Sequence, residues 1–163
     1  MLMLHLFKEN NLEFCVAHCN FNLRGEESIG DEEFVKQICI ENRIRCFVKQ
    51  FDINKEKEIS NDGTQLIARR LRYDWFEEIR KELGFDFICT AHHQRDQVET
   101  LIQRFMLGAF PESMQGIKPI SEKIIRPLLE VACREAVFVR YRDDDDGELL
   151  LAVALAQHSH QAD

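Results

Sequence analysis

The chain has 163 residues, 45% of them apolar and 31% charged, with a net charge of −8. These proportions fit one globular domain and exclude a disordered or fibrous chain. No apolar run approaches the roughly 20 residues of a membrane helix, and the acid excess argues against indiscriminate nucleic-acid binding by the whole surface.

The opening "MLMLHLFKENN" lacks a basic n-region and a small-residue cleavage site, so a cytoplasmic protein without a signal peptide is expected. Residues 1–10 read as the rear of a helix. "LEFCVAHCNF" (12–21) is a nearly continuous apolar run, the pattern of a strand covered on both faces. Ser28 or Asp31 is the expected cap of a following helix whose Phe34, Val35, Ile38 and Ile40 keep helical spacing. "IRCFVKQFDI" (44–53) is a second strand, and the charged stretch 54–63 a loop. "TQLIARRLRYDWFEEIRKEL" (64–83) is the longest helix, closed by Gly84. "FDFICTAH" (85–92) is a third strand, 94–107 a helix closed by Gly108, and a Pro- and Gly-containing loop leads to "KIIRPLLEV" (123–131). Residues 133–163 hold three basic and seven acidic side chains, so a fifth of the chain carries half of the net charge. A divergent acidic tail is expected from 132 to 163, disordered or artefactual.

Six cysteines are present, without the framework spacing of a small secreted domain. Cys15 and Cys19 flank His18, but on a strand the two thiols face one way and the imidazole the other. No metal site is assigned.

Strands alternating with helices of this length imply βαβ units and a parallel sheet. Ligands bind such sheets beyond the carboxyl ends of the strands, which puts "AHCN" (17–20) and "TAHH" (90–93) on one rim. Asp96, Glu99 and Thr100 share a helical face just after His92. A neutral histidine beside a carboxylate can act as general base, the carboxylate fixing its tautomer and raising its pKa. The alternative is that Asp96 and Glu99 only complement the helix dipole. A metal hydrolase at His92 and Asp96 is a third reading, although the spacing matches no settled ligand pattern. Arg69 and Arg72 share a helical face and suit phosphate or carboxylate; Arg70 lies on another. Tyr73, Trp75 and Phe76 read as core and hydrophobic contact.

Taken in order, "AHCNFNLRGEES", "ARRLRYDWFEEI", "TAHHQRDQVET" and "IIRPLLEV" resemble the N-terminal domain of the tRNA(Ile)-lysidine synthase family, a branch of the PP-loop ATP pyrophosphatases. The resemblance runs from Leu2 to Val131, about four-fifths of the chain. It implies an α/β fold, a parallel sheet with helices on both faces, Rossmann-like and of the adenine nucleotide alpha hydrolase type. It also implies a ligase that adenylates C2 of the wobble cytidine of tRNA(Ile) with ATP and magnesium, after which free lysine displaces AMP. Carried over by position, Arg72, His92 and Asp96 would be catalytic. His18, Asn20 and Arg24 match an "HxNxxLR" segment on the nucleotide-facing rim and, with Arg69, would bind nucleotide. His93 is expected to be structural.

Three departures accompany the match. The signature Ser-Gly-Gly-x-Asp-Ser would stand directly before "MLMLHLF", so the first strand and phosphate loop are expected to be missing and the 163 residues alone to be inactive. "GAFPES" (108–113) stands where a Gly-rich turn is usual, and beyond "CREAV" and "YRDD" the tail matches nothing recognised. The alternatives are another PP-loop tRNA-modifying enzyme of thiolation type, whose paired C-x-x-C motifs do not occur in this sequence, and a non-catalytic remnant that binds tRNA or a partner.

Overall fold

A computed structural model describes residues 2–59, 62–106, 108, 116–130 and 153–156. Most of the "GAFPES" turn and, apart from 153–156, the acidic tail lie outside these residues, as do "CREAV" and "YRDD".

In chain order the elements are α1 (Leu2–Glu9), β1 (Phe14–Asn20), α2 (Glu26–Glu41), β2 (Cys46–Gln50), α3 (Ile53–Ile59) and α4 (Thr64–Leu83). They continue with β3 (Phe87–Cys89), α5 (Gln94–Met106), β4 (Ile120–Ser121), β5 (Ile124–Ile125) and β6 (Val153–Ala156). The sheet order is β2-β1-β6-β3-β5-β4. β1 pairs parallel with β2, with Val16 opposite Cys46, and β3 parallel with β5, with Ile88 opposite Ile124. β6 runs antiparallel to both β1 and β3, so those two strands, and hence β1, β2, β3 and β5, all point the same way. Their carboxyl ends form the single rim expected from the sequence.

The two-residue alternation of the strands sorts the core into two layers. Cys15, Ala17 and Ile88 meet Trp75, Phe76 and Ile79 of α4 on one face. Val16 meets Leu4 of α1 and Val35, Ile38 and Cys39 of α2 on the other, where Cys89 also meets Met3 and Phe7. The sheet therefore carries helices on both sides. Phe76 is fully buried and Trp75 is 9% exposed, so these aromatics are core.

Helix α4 has the expected limits. Gly84 takes φ +72°, and Phe85 N–H returns to the Arg80 carbonyl at 3.0 Å while Gly84 N–H reaches Lys81, the paired bonds of a glycine-closed helix end. Three local expectations are corrected. Residues 53–59 are helix α3, not loop: Asp52 Oδ1 accepts the N–H groups of Asn54 and Lys55 at 3.1 and 3.4 Å, and Ile53 anchors the turn among Phe21, Ile67 and Ala68. Neither Ser28 nor Asp31 starts α2. It begins at Glu26 after Gly25 at φ +57°, with Ser28 Oγ accepting the Arg24 N–H at 3.2 Å. Phe34 and Ile40 are exposed; Cys39 takes the core position that the spacing gave to Ile40.

Candidate functional site

The rim carries a solvent-open cleft of about 650 Å³ between α4, α5 and the segment around β4 and β5. Its size is that of a small-molecule site. Arg69, Arg72, His92 and Asp96 all line it, joined by Glu99, Thr100, Gln103, Arg104, Lys118 and Arg126.

The arginines are aimed by aromatic shelves. The Arg72 guanidinium lies 5.3 Å from the Phe21 ring centroid and Arg69 lies 4.9 Å from that of Tyr73. Such stacking holds a cation without neutralising it. Among the described residues neither Arg69 nor Arg72 makes an ion pair. Arg70, one residue away on another face, pairs instead with Glu56 at 3.2 Å and Asp62 at 3.9 Å.

His92 stands three residues past the end of β3. Its Nδ1 lies 2.8 Å from the Oγ1 of Thr90, a side chain with no exposed surface that projects from the same side of the chain two residues earlier. The expected carboxylate partner is not its orienting group. Asp96 Oδ2 accepts the backbone N–H of His93 at 2.7 Å and lies 3.2 Å from His93 Nδ1, so this oxygen closes the first turn of α5. The expected rise in pKa is also reversed. Burial pushes the His92 imidazole down to about 4; the Arg126 charge lowers it further, Asp96 raises it, and Arg69 and Arg72 lower it. The imidazole is neutral at pH 7, with desolvation and three guanidinium groups outweighing one carboxylate.

His18, Asn20 and Arg24 lie at the same rim but outside the cleft. Asn20 Nδ2 donates to Glu32 Oε2 at 2.8 Å and to the Ser28 carbonyl at 3.2 Å, while its Oδ1 accepts the Asn22 N–H at 2.8 Å. Gln50 and Lys36 complete the ring of donors around Glu32. Burial alone would raise the Glu32 carboxyl, but these hydrogen bonds hold it at about 2. Arg24 pairs with Asp31 at 2.6 Å. Burial lowers the His18 pKa, Glu32 and Asp31 raise it, and Arg72 lowers it. Asn20 and Arg24 organise the turn from β1 into α2, and His18 feels the cleft through the Arg72 charge.

Of the cleft residues that carried no expectation, Arg126 is the most telling. Arg126 is 8% exposed. A charge inside the apolar run "KIIRPLLEV" was its signal, because such a residue stays buried only with a polar task. The segment that holds it is clamped to α5: Gln97 Oε1 accepts the Ile117 N–H, and Gln97 Nε2 donates to the Ile117 carbonyl at 3.3 Å.

A PP-loop domain family matches residues 1–142. The chain is 41% identical over 138 residues to a tRNA(Ile)-lysidine synthase of Clostridium perfringens, covering 82% of this chain and 29% of that protein. It is 44% identical over 121 residues to the enzyme of that name from Bacteroides thetaiotaomicron, covering 74% and 28%. For the Chlorobaculum tepidum protein of the same name the figures are 38% over 158 residues, 91% and 48%. The chain thus spans less than half the length of these relatives. With the family match extending over most of its residues, on an α/β sheet with helices on both faces, the chain belongs to the PP-loop domain family.

Proposed function

We propose that this chain forms the reaction cleft of a tRNA(Ile)-lysidine synthase, a ligase acting in tRNA modification with ATP, free lysine and the isoleucine tRNA as substrates. The convergence of Arg69, Arg72, His92 and Asp96 on one cleft at the carboxyl rim carries this reading. In it the C2 oxygen of the wobble cytidine attacks the α-phosphorus of ATP, forming a P–O bond as pyrophosphate leaves. The lysine amine then attacks C2, the C2–O bond breaks, AMP departs, and the amine gives up a proton.

Arg69 and Arg72 would take the charge on the phosphates, because unpaired guanidinium groups on aromatic shelves need no ion pair broken before they engage. His92 would receive the amine proton, with Thr90 fixing the ring. Asp96 would raise the basicity of the imidazole as the positive charge develops. His18, Asn20 and Arg24 would support the nucleotide indirectly, by holding the β1–α2 turn. The donor set fits a phosphate ligand, since cationic side chains outnumber carboxylates in the lining. Magnesium would reach the cleft on the phosphates and supply charge neutralisation there; Asp96 and Glu99 are the carboxylates facing the space.

The test is to incubate the protein, isolated as its cells make it, with ATP, magnesium, lysine and tRNA bearing a CAU anticodon. Pyrophosphate release with a lysine-dependent mass gain on the wobble cytidine is expected, and both should fall by at least a hundredfold in Arg72→Ala. Salt-sensitive tRNA binding with no effect of ATP and no modified cytidine would overturn the reading in favour of a non-catalytic tRNA-binding protein.

A further inference from the structure

We propose that Arg126 is the anion seat of the cleft that His92 also lines, binding a phosphate oxygen of the ligand. The inference rests on the cleft being a phosphate-handling site, and it adds a residue and a coupling to that reading.

Three observations carry it. Arg126 is buried, yet among the described residues no carboxylate pairs with it. A buried guanidinium normally has such a partner, because desolvating its charge is costly. Second, the side chain is fixed at one end and unsatisfied at another. One terminal nitrogen donates to the Lys118 carbonyl at 2.7 Å, and the backbone N–H donates to the Pro119 carbonyl at 2.9 Å. Nε is buried without a partner. Third, the group lines the same cleft as His92 and is close enough for its charge to act on that imidazole. A fixed cation that lines a ligand space with no carboxylate partner among the described residues is suited to receive an anion.

The charge balance selects the anion. Among the described residues, and leaving Arg104 aside, Arg69, Arg72, Lys118 and Arg126 face the cleft against Asp96 and Glu99, while His92 is neutral. An excess of two positive charges suits a multiply charged phosphate better than a single carboxylate.

The coupling follows from the surroundings of His92. Thr90 just after β3 hydrogen-bonds it, Asp96 of α5 raises its pKa, and Arg69 and Arg72 of α4 and Arg126 after β5 lower it. Arg126 is the foremost of these charges. A phosphate seated on Arg126 cancels that field and places a negative charge near the imidazole, so protonation becomes easier. By linkage, protonated His92 must then hold the phosphate more tightly than the neutral ring does. Arg126 thus acts as a positioning residue that withholds the base until a phosphate is bound.

The decisive experiment is an NMR titration of His92 in the labelled 163-residue chain, with and without saturating inorganic pyrophosphate. The expected result is a His92 pKa near 4 in the free protein and at least one unit higher with pyrophosphate. Arg126→Met should raise the free-protein pKa and weaken pyrophosphate at least tenfold, while Arg126→Lys retains most of both effects. A parallel arm with a short RNA oligonucleotide identifies the source of the phosphate. Weakening of pyrophosphate assigns the seat to the nucleotide; weakening of the RNA alone assigns it to the nucleic-acid backbone. A His92 pKa that does not move with either ligand overturns the proposal, and this readout needs only the unsubstituted protein. Neither measurement requires turnover, so failure here is distinct from failure to form lysidine.

Discussion

Asn20→Ala separates two roles for a residue that the sequence assigned to nucleotide binding. The substitution removes two donated hydrogen bonds, to Glu32 and Ser28, and one accepted from Asn22. The two neutral bonds contribute about 1 kcal/mol each and the bond to the carboxylate about 2 kcal/mol. Asn20 and Glu32 are 3% and 7% exposed, so water does not readily replace what is lost. The expected destabilisation is about 4 kcal/mol, a large share of the roughly 5–15 kcal/mol typical of a domain. Urea unfolding followed by circular dichroism measures it directly, and a fall in melting temperature of about 10 °C should accompany it. With one donor gone, the Glu32 pKa should also rise from about 2 toward its ordinary 4.5. The sign is fixed. A carboxyl lowered in the folded state adds stability above its unfolded pKa and loses it as pH falls through the folded value. The variant should therefore lose less stability than the parent between pH 4.5 and 2. A folded Asn20→Ala protein within 1 kcal/mol of the parent, but with weakened ATP binding, would refute the structural role and restore the nucleotide contact.

Other perturbations have equally definite outcomes. Gly116→Ala would set its Cβ against the Gln97 side-chain amide and break the clamp on Ile117, costing about 1–2 kcal/mol by urea unfolding; an unchanged midpoint would mean that Gln97 has another rotamer of equal energy. Phe76→Ala, in a fully buried position, should cost about 3–5 kcal/mol, and an effect below 1 kcal/mol would show that α4 is not packed on the sheet as described. His92, lowered to about 4 in the folded protein, is protonated first in the unfolded chain. Its contribution is complete above pH 6.5 and declines as pH falls toward 4, amounting to about 2 kcal/mol after allowance for solvent screening. His92→Gln should flatten that part of the stability–pH curve, and an identical curve in the variant would refute the assignment.

Helix α4 was legible because its apolar spacing, its length and Gly84 all agree. Helix α3 was not, because "INKEKEI" has no apolar period and its only outward sign was Asp52 in a capping position. The same contrast runs through the site. His92 and Asp96 could be placed at the rim from strand-end geometry and helix spacing, whereas Arg69 and Arg72 joined them through the family resemblance. What each side chain touches depends on competition that spacing does not encode. Asp96 had both imidazoles within sequence reach, and its helix-start position committed it to His93. Asn20 and Arg24 sit on the correct rim, yet Glu32 and Asp31, one turn into α2, hold them away from the cleft. Arg126 was visible as a charge in an apolar run, but its place at the end of β5, level with the end of β3, required the register of β5 on β3.

The electrostatics of the cleft bear on how a polyanionic substrate meets an acidic protein. At 0.1 M salt, exposed charges more than about 10 Å apart are largely screened. A phosphate approaching through bulk solvent therefore feels little of the net charge of −8. Inside the cleft it meets Arg69, Arg72 and Arg126 at short range, where attraction is strongest. Acid elsewhere on the surface then repels nucleic acid that does not present a phosphate to this opening, so selectivity comes from the position of the cations rather than from their number. The consequence is measurable: affinity for pyrophosphate should fall only modestly between 0.05 and 0.2 M salt, because few ions are exchanged at a small, partly buried site. Non-specific RNA should bind weakly even at the lower of these concentrations. A steep salt dependence for pyrophosphate would instead locate its binding on the exposed surface, away from Arg126.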